Sequence, residues 1–232
     1  MLFGLFYFDW TILIVIPGAI FAMWAQFKVK STFENYSREI TRKHITGYDA
    51  ARRILDANGL TDVKIERIDG QLTDHYDPRA NVIRLSESTY ANSSTAAVGV
   101  AAHEAGHAIQ HAKGYVPIKI RSAIVPVTQI GSNLAMPVFI IGLLFASDYL
   151  MLAGIALFSL ASIFQIVTLP TEFNASRRAL DTLSSCGILY DDELRGAGKV
   201  LGAAAMTYVA ALATSLLSLL RLIVIANGRR RD

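Results

Sequence analysis

Four long apolar runs constrain this chain more than any other feature of its sequence. They cover residues 3–27, 124–146, 149–169 and 200–220. A helix needs about 20 predominantly apolar residues to cross the hydrocarbon core of a bilayer, and each run approaches or exceeds that length. The whole chain of 232 residues is 53% hydrophobic and only 18% charged. We therefore predict a mainly α-helical, multi-pass protein of the cell membrane, with the lipid bilayer as its first partner.

The first run can be read as a retained anchor or as a signal peptide. Lys28 and Lys30 follow the run instead of preceding it, and no small-residue cleavage site follows cleanly. Both points favour a membrane anchor with its N-terminus outside. In the second run, Gln129 and Asn133 lie four apart on one helical face. They either hold helices together or line a polar cavity.

Residues that commonly end or begin helices divide the rest of the sequence. Pro170 is predicted to end a transmembrane hairpin, and Thr171 can cap a separate helix. The acidic stretch 191–193 complements the dipole of a long last helix. The predicted organisation is an anchor at 1–27, a polar domain at 28–121, a hairpin at 122–170, a helix at 171–190 and a long C-terminal helix at 191–232, which is predicted to be transmembrane.

The distribution of basic residues orients these segments. Asp9 and Asp148 mark one side of the predicted bundle. The other side carries Lys28, Lys30, Arg38, Arg42, Lys43, Lys113, Lys119, Arg121, Arg177, Arg178, Arg195 and Lys199. Positive residues concentrate on the cytoplasmic side, so the polar domain is predicted to be cytoplasmic, and a membrane-flanking role argues against nucleic acid as a partner. The basic tail Arg229–Arg231 does not fit this orientation, because a fourth span would place it outside the cell. Either the tail is tolerated there, or the last helix does not fully cross the membrane.

The polar domain reads as a small α+β unit. Residues 33–41 and 47–55 are predicted to be helices, and the alternating stretches 63–67 and 81–85 to be strands. The second strand is either an edge strand, to which an extended peptide could pair, or half of a structural hairpin.

The stretch Ser93–Gly114, predicted to be a helix from Thr95 to His111, contains the sequence His103-Glu104-Ala105-Gly106-His107. Residues four apart lie on one helical face, so both imidazoles can reach one zinc ion while Glu104 acts as a general base towards water. Such a pattern can arise by chance. However, three of the five histidines in the chain fall within nine positions of this helix, which favours a zinc site and a metallopeptidase.

A catalytic zinc site usually has three protein ligands, and three residues are candidates for the third. His111 follows on the same helix, but helical rise puts it about 12 Å from His103, too far for one ion. His75 lies in a predicted loop that could fold over the site. Glu172 begins the helix that follows the hairpin.

Several blocks of the chain resemble known proteases. The motif HEAGH together with the downstream sequence EFNA is similar to the HtpX-type heat-shock proteases and the CAAX prenyl proteases. The stretches 74–115, 169–180 and 203–212 more closely resemble the bacterial neutral zinc metallopeptidases of the YugP type, and this resemblance covers most of the chain.

The resemblance implies a zincin-like domain of the gluzincin type at the membrane surface. His103, His107 and Glu172 would bind one Zn²⁺ ion, and Glu104 would be the base of peptide-bond hydrolysis. Peptides or proteins would be the substrates, by analogy membrane or misfolded ones. Ser176 stands where the HtpX pattern has an aspartate that supports a ligand histidine. Either Ser176 takes that role or Asp181 replaces it.

Hydrolysis of a peptide bond also needs a hydrogen-bond donor for the oxyanion of the tetrahedral intermediate. The candidates are Arg178, His75, Tyr76 and Tyr208. For Arg178, an ion pair with Asp181 is the favoured interpretation.

An intramembrane site-2-type protease is a rival interpretation of the motif, but the chain has no Asn-Pro-Asp-Gly-like segment. The alternative function from another class is a membrane scaffold or assembly factor with a structural or non-catalytic metal. The sequence does not decide whether the protein forms an oligomer or binds a partner membrane protein.

Overall fold

The computed structural model describes residues 9–229. The helices are α1 (Ile12–Tyr36), α2 (Gly47–Ala57), α3 (Glu87–Tyr90), α4 (Thr95–Ala112), α5 (Val116–Leu144), α6 (Asp148–Ser185) and α7 (Asp191–Arg229), and the strands are β1 (Lys64–Ile68), β2 (His75–Asp77) and β3 (Val82–Ser86). The start of the first apolar run, residues 3–8, and Arg230 and Arg231 of the basic tail lie outside the described residues.

The predicted mainly helical, multi-span architecture is confirmed at this level. Within residues 9–229, the four helices α1, α5, α6 and α7 are long and apolar enough to cross a membrane. A small three-stranded sheet accompanies them. Residues 145–147 form a tight link that joins α5 to α6 within the predicted hairpin.

The chain divides into two compact units. Of the described residues, 9–24, 121–167 and 208–229 form one unit, called here the apolar unit. Residues 25–120 and 168–207 form the other, called here the polar unit. In the apolar unit α5 and α6 approach closely at glycines: a Cβ on Gly154 would lie 2.7 Å from the Cβ of Phe139, and one on Gly142 would lie 2.5 Å from the backbone nitrogen of Met151. Small residues at such contacts are typical of membrane helices.

The polar unit has its own hydrophobic core around α4. Ala-rich α4 is buried along most of its length and packs against α2, β2 and β3. Ile54, Leu55, Ile83, Leu85 and Val98 are fully buried in this core. Helix α2 begins at a capping box formed by Thr46 and Asp49 and ends at Ala57, with Asn58 as its C-cap residue.

The sheet differs from both sequence interpretations of strand 81–85. The strand order is β1-β3-β2, so β3 is central and not an edge. The pairing of β1 with β3 is parallel, so these two strands are not a hairpin. The hairpin joins β2 to β3 instead, through a turn in which Asp77 accepts the N–H groups of Arg79 and Ala80. Strand β2 was expected to be a loop because three residues are too few to show an alternating pattern.

Two helix predictions are wrong. The separate helix at 33–41 does not exist: α1 continues to Tyr36, and Ile40 already forms a β-bridge with Ser94. Pro170 does not end the hairpin, because α6 runs through it without a break to Ser185. A proline inside a membrane-type helix is tolerated where neighbouring groups satisfy the freed carbonyl. Thr171 therefore caps no new helix.

Candidate metal centre

Helix α4 holds the two histidines of the motif on one face. The Ser94 side chain caps the helix by accepting the N–H of Ala97 at 3.3 Å, an interaction typical of serine at this position. The helix ends at Ala112, and Gly114 follows with φ +62°, a conformation that favours glycine. The rings of His103 and His107 meet edge to face, with centroids 4.7 Å apart.

Gly106, between the two histidines, determines how close α6 can come. A Cβ at this position would lie 2.6 Å from the carbonyl oxygen of Ala175, closer than non-bonded atoms can approach. Only glycine therefore allows this contact of α4 with α6. Glu172 lies one turn before Ala175 on α6, so the contact brings its carboxylate to the histidines.

Three potential metal ligands converge at this point. Oε2 of Glu172 lies 3.3 Å from Nε2 of His103 and 3.5 Å from Nε2 of His107. The ligand atoms of all three residues lie within 4.8 Å of one another. Glu172 is 2% exposed. A carboxylate so deeply buried requires a compensating cation, which protonated histidine or a bound metal ion supplies.

The donor set fits zinc. Two imidazole nitrogens and one carboxylate oxygen are ligands of tetrahedral Zn²⁺, and three protein ligands leave one position open, as in catalytic sites. A calcium or magnesium site would be built from oxygen ligands alone.

Without metal, the cluster holds a proton tightly at His107. Burial lowers the pKa of this imidazole, but its bond to Glu172 and the charges of Glu104 and Glu172 prevail and raise it above its ordinary value. A metal ion that binds here must displace that proton.

Glu104 stands beside the cluster with its carboxylate uncommitted. The residue is 8% exposed, and its charge acts on His107. Among residues 9–229, no side chain or backbone group forms a hydrogen bond or ion pair with this carboxylate. It is therefore available to a water molecule or a substrate.

The outer nitrogens of the two histidines have different partners. Oγ of Ser176 lies 3.1 Å from Nδ1 of His103. Oε1 of Gln110 lies 3.0 Å from Nδ1 of His107. Ser176 is the residue that the sequence pattern places there, whereas Asp181 lies on the surface 4.0 Å from Arg177. The favoured pairing of Arg178 with Asp181 is wrong, because Nε of Arg178 donates to Oδ1 of Asn174 at 2.7 Å.

Sequence reasoning missed Gln110 and Asn174. The available signal was a glutamine three residues after His107, on the same helical face, in a helix whose other buried positions are mostly small or apolar. Gly106 was also missed, although a glycine inside a helix costs stability and often has a packing reason.

The remaining candidates lie outside the group of three ligands. On β2, Nδ1 of exposed His75 lies 2.9 Å from the carbonyl oxygen of Thr73. Tyr76 donates its hydroxyl to Oδ1 of Asn81 at 3.0 Å, and its ring packs against that of His111, with centroids 5.6 Å apart. Burial, with the charges of Asp62 and Asp77, raises the pKa of Tyr76, so this phenol stays a donor. Tyr208 lies on α7 in the apolar unit.

Comparison with known proteins agrees with this chemistry. The sequence profile of a family described as "putative neutral zinc metallopeptidase" matches residues 11–227. A relative from Bacillus subtilis (strain 168), named "Putative membrane protease YugP", is 49% identical over 219 residues, which cover 94% of this chain and 97% of the relative. No solved structure matches significantly. The resemblance inferred from the sequence blocks is confirmed.

Proposed function

Because the chain belongs to the neutral zinc metallopeptidase family, we propose that it is a membrane-embedded zinc endopeptidase with Glu104 as its general base. His103, His107 and Glu172 are the proposed ligands of a single Zn²⁺. The observation that carries the proposal is the convergence of three largely buried ligand residues, whose ligand atoms lie within 4.8 Å of one another. Beside them stands the carboxylate of Glu104, which has no hydrogen-bond or ion-pair partner within residues 9–229.

The proposed reaction is hydrolysis by direct attack of water on the peptide carbonyl. When bound, zinc supplies Lewis acidity, which polarises that carbonyl and acidifies the attacking water. Glu104 takes the proton of the water and then gives it to the leaving amine. One water is consumed, the C–N bond breaks, and a carboxylic acid and an amine are released.

The substrate is proposed to bind as an extended strand along β2. Among the described residues, β2 pairs only with β3 and contacts α4, so its other edge can accept a peptide backbone. The edge strand that would bind the substrate is the zincin-like feature of this proposal. His75 on the same strand is exposed. Its Nδ1 faces the carbonyl oxygen of Thr73, and Arg178 and Tyr76 are engaged with Asn174 and Asn81, so we assign no oxyanion donor among these three side chains.

The location of the site suggests the kind of substrate. Four candidate spans and the excess of lysine and arginine on the side of the motif support a cytoplasmic active site at the membrane surface. Segments of membrane proteins and misfolded chains are the proposed substrates.

A direct test measures zinc content and cleavage of an unfolded protein by the full chain in detergent. Glu104→Gln is expected to retain zinc but to lose cleavage by at least about 100-fold, since a positioned acid–base group contributes about 10²–10⁴-fold. His103→Ala is expected to lose both. The exposed carboxylate of Glu34 provides a matched control, Glu34→Gln, which should behave as wild type.

Two outcomes would contradict the proposal. Cleavage by Glu104→Gln at the wild-type rate would overturn the peptidase assignment and favour a metal-bearing scaffold. Full zinc occupancy in His103→Ala would overturn the ligand set.

A further inference from the structure

We propose that Gln110 is a positioning residue that sets the tautomer of His107, so that Nε2 of this imidazole presents its lone pair to the metal. The inference rests on the proposed zinc site and extends it to a hydrogen-bond network between α4 and α6. The network consists of Gln110, the backbone carbonyl of Thr171, the side chain of Asn174 and the guanidinium of Arg178.

Gln110 is completely buried, and both ends of its amide are used. Its Nε2 lies 2.8 Å from the carbonyl oxygen of Thr171 and 3.0 Å from Oδ1 of Asn174. Its Oε1 lies 3.0 Å from Nδ1 of His107. A buried amide with every contact at hydrogen-bond distance is held in one orientation.

Two independent acceptors determine which end of the amide is nitrogen. The carbonyl oxygen of Thr171 can only accept, so the amide atom beside it must be the NH₂ group. The second acceptor depends on Arg178, whose guanidinium can only donate. Arg178 therefore requires Oδ1 of Asn174 on its side, at 2.7 Å, and the same oxygen accepts from Gln110.

The orientation of Gln110 in turn determines the protonation of His107. Because the amide oxygen faces Nδ1, that nitrogen must carry a hydrogen. In the neutral imidazole the lone pair is then on Nε2, the atom that lies 3.5 Å from Glu172. A ligand histidine commonly has its tautomer set by the hydrogen bond of its other nitrogen.

His103 lacks this constraint. Its Nδ1 faces the hydroxyl of Ser176, and a hydroxyl can donate or accept. Ser176 is therefore compatible with either tautomer of His103. Preorganisation of the site therefore depends on His107, and on Gln110 with the residues that orient its amide, Thr171, Asn174 and Arg178.

The test uses the full-length protein in detergent, with zinc alone as the ligand. Gln110→Met retains the approximate volume but removes the acceptor, and should weaken zinc binding by about 10- to 100-fold in a chelator competition, as loss of a supporting partner does. Gln110→Glu retains an oxygen for Nδ1–H and should bind zinc more tightly than Gln110→Met. Ile109→Met, at a buried neighbour on the same helix, is the control and should bind as wild type.

A nitrogen-15 spectrum of the histidine side chains gives a second readout that needs no variant. In the metal-free wild type, above the pH at which His107 titrates, the proton is expected on Nδ1. A proton on Nε2 in the wild type, or zinc affinity of Gln110→Met within threefold of wild type, would overturn the inference. Neither result depends on cleavage, so the Glu104→Gln experiment judges the proposed function separately.

Discussion

Two polar clusters lie among apolar helices in this protein, and they differ in how their charges are balanced. In the apolar unit, Arg221 donates to Asp9 at 2.6 Å and to the hydroxyl of Thr11 at 3.0 Å. In the polar unit, His103, His107 and Glu172 direct their ligand atoms at one another. The first cluster is a matched donor and acceptor. The second is a set of groups that, once His107 has given up its extra proton, all have lone pairs to offer to a cation.

This difference separates a structural ion pair from a candidate metal site. The Asp9–Arg221 pair is half-exposed, with 41% and 31% of the side chains accessible, and it requires nothing else. It explains how an arginine is accommodated in the apolar run of α7, as ionisable groups in such segments commonly pair. The carboxylate of Glu172 is almost inaccessible, and its site is complete only when a cation is present.

The sharpest test makes the same chemical change in both clusters. Glu172→Gln removes a proposed ligand charge and is expected to lower zinc affinity by more than about 100-fold, beyond the effect of a supporting residue, and to abolish cleavage. Asp9→Asn neutralises the other carboxylate and should leave zinc affinity unchanged. Chelator competition on the two purified variants measures both. Equal effects of the two substitutions would show that the clusters do not differ in kind.

Close helix contacts at glycine offer a second test. Gly106→Ala places a Cβ 2.6 Å from a backbone oxygen, and overpacking of this kind costs about 1–3 kcal/mol. Because the contact brings Glu172 to the histidines, both thermal stability and zinc affinity should fall. Gly154→Ala makes an equally tight contact in the apolar unit and should lower stability alone.

Gly202 provides the control for this comparison. Nothing lies within 4 Å of a Cβ at this helical position, so Gly202→Ala should be neutral or stabilising by about 0.5–1 kcal/mol. Loss of zinc affinity in Gly154→Ala equal to that in Gly106→Ala would show that the effect is not specific to the metal cluster.

A smaller effect is expected from pH. The raised pKa of His107 means that the metal-free folded protein holds this proton more tightly than the unfolded chain does. Its contribution to stability is complete below the unfolded pKa of about 6.5 and is lost as the pH rises through the folded pKa. Zinc competes for the same nitrogen, so zinc affinity should fall as the pH drops, by up to about tenfold per pH unit.

Calorimetry in buffers with different ionisation enthalpies measures the protons released when zinc binds. Release of a proton near the titration of His107 is the expected result. Zinc binding without proton release across pH 6–8, about the ordinary range of histidine, would contradict the assignment of His107 as a ligand.

Much of the architecture was predictable because its signals are local. Apolar runs of about 20 residues indicated the four candidate spanning helices, and Ser94 and Asp191 stand at the starts of α4 and α7, as capping and dipole rules favour. The break at Pro170 was predicted wrongly, since α6 runs through this proline to Ser185, although a proline usually ends an isolated helix. Strand β2 is too short for its pattern to be detected.

The sequence by itself determined which chemical groups the site could use. The four-residue spacing of His103 and His107 follows from helix geometry, and Glu104 comes with it. Only the tertiary structure decided which distant groups join them. Glu172, Ser176 and Asn174 lie about 70 residues downstream on α6, and no local periodicity can relate two helices so far apart in the chain. That relation depends on the absence of a side chain at Gly106, which lets the two backbones approach.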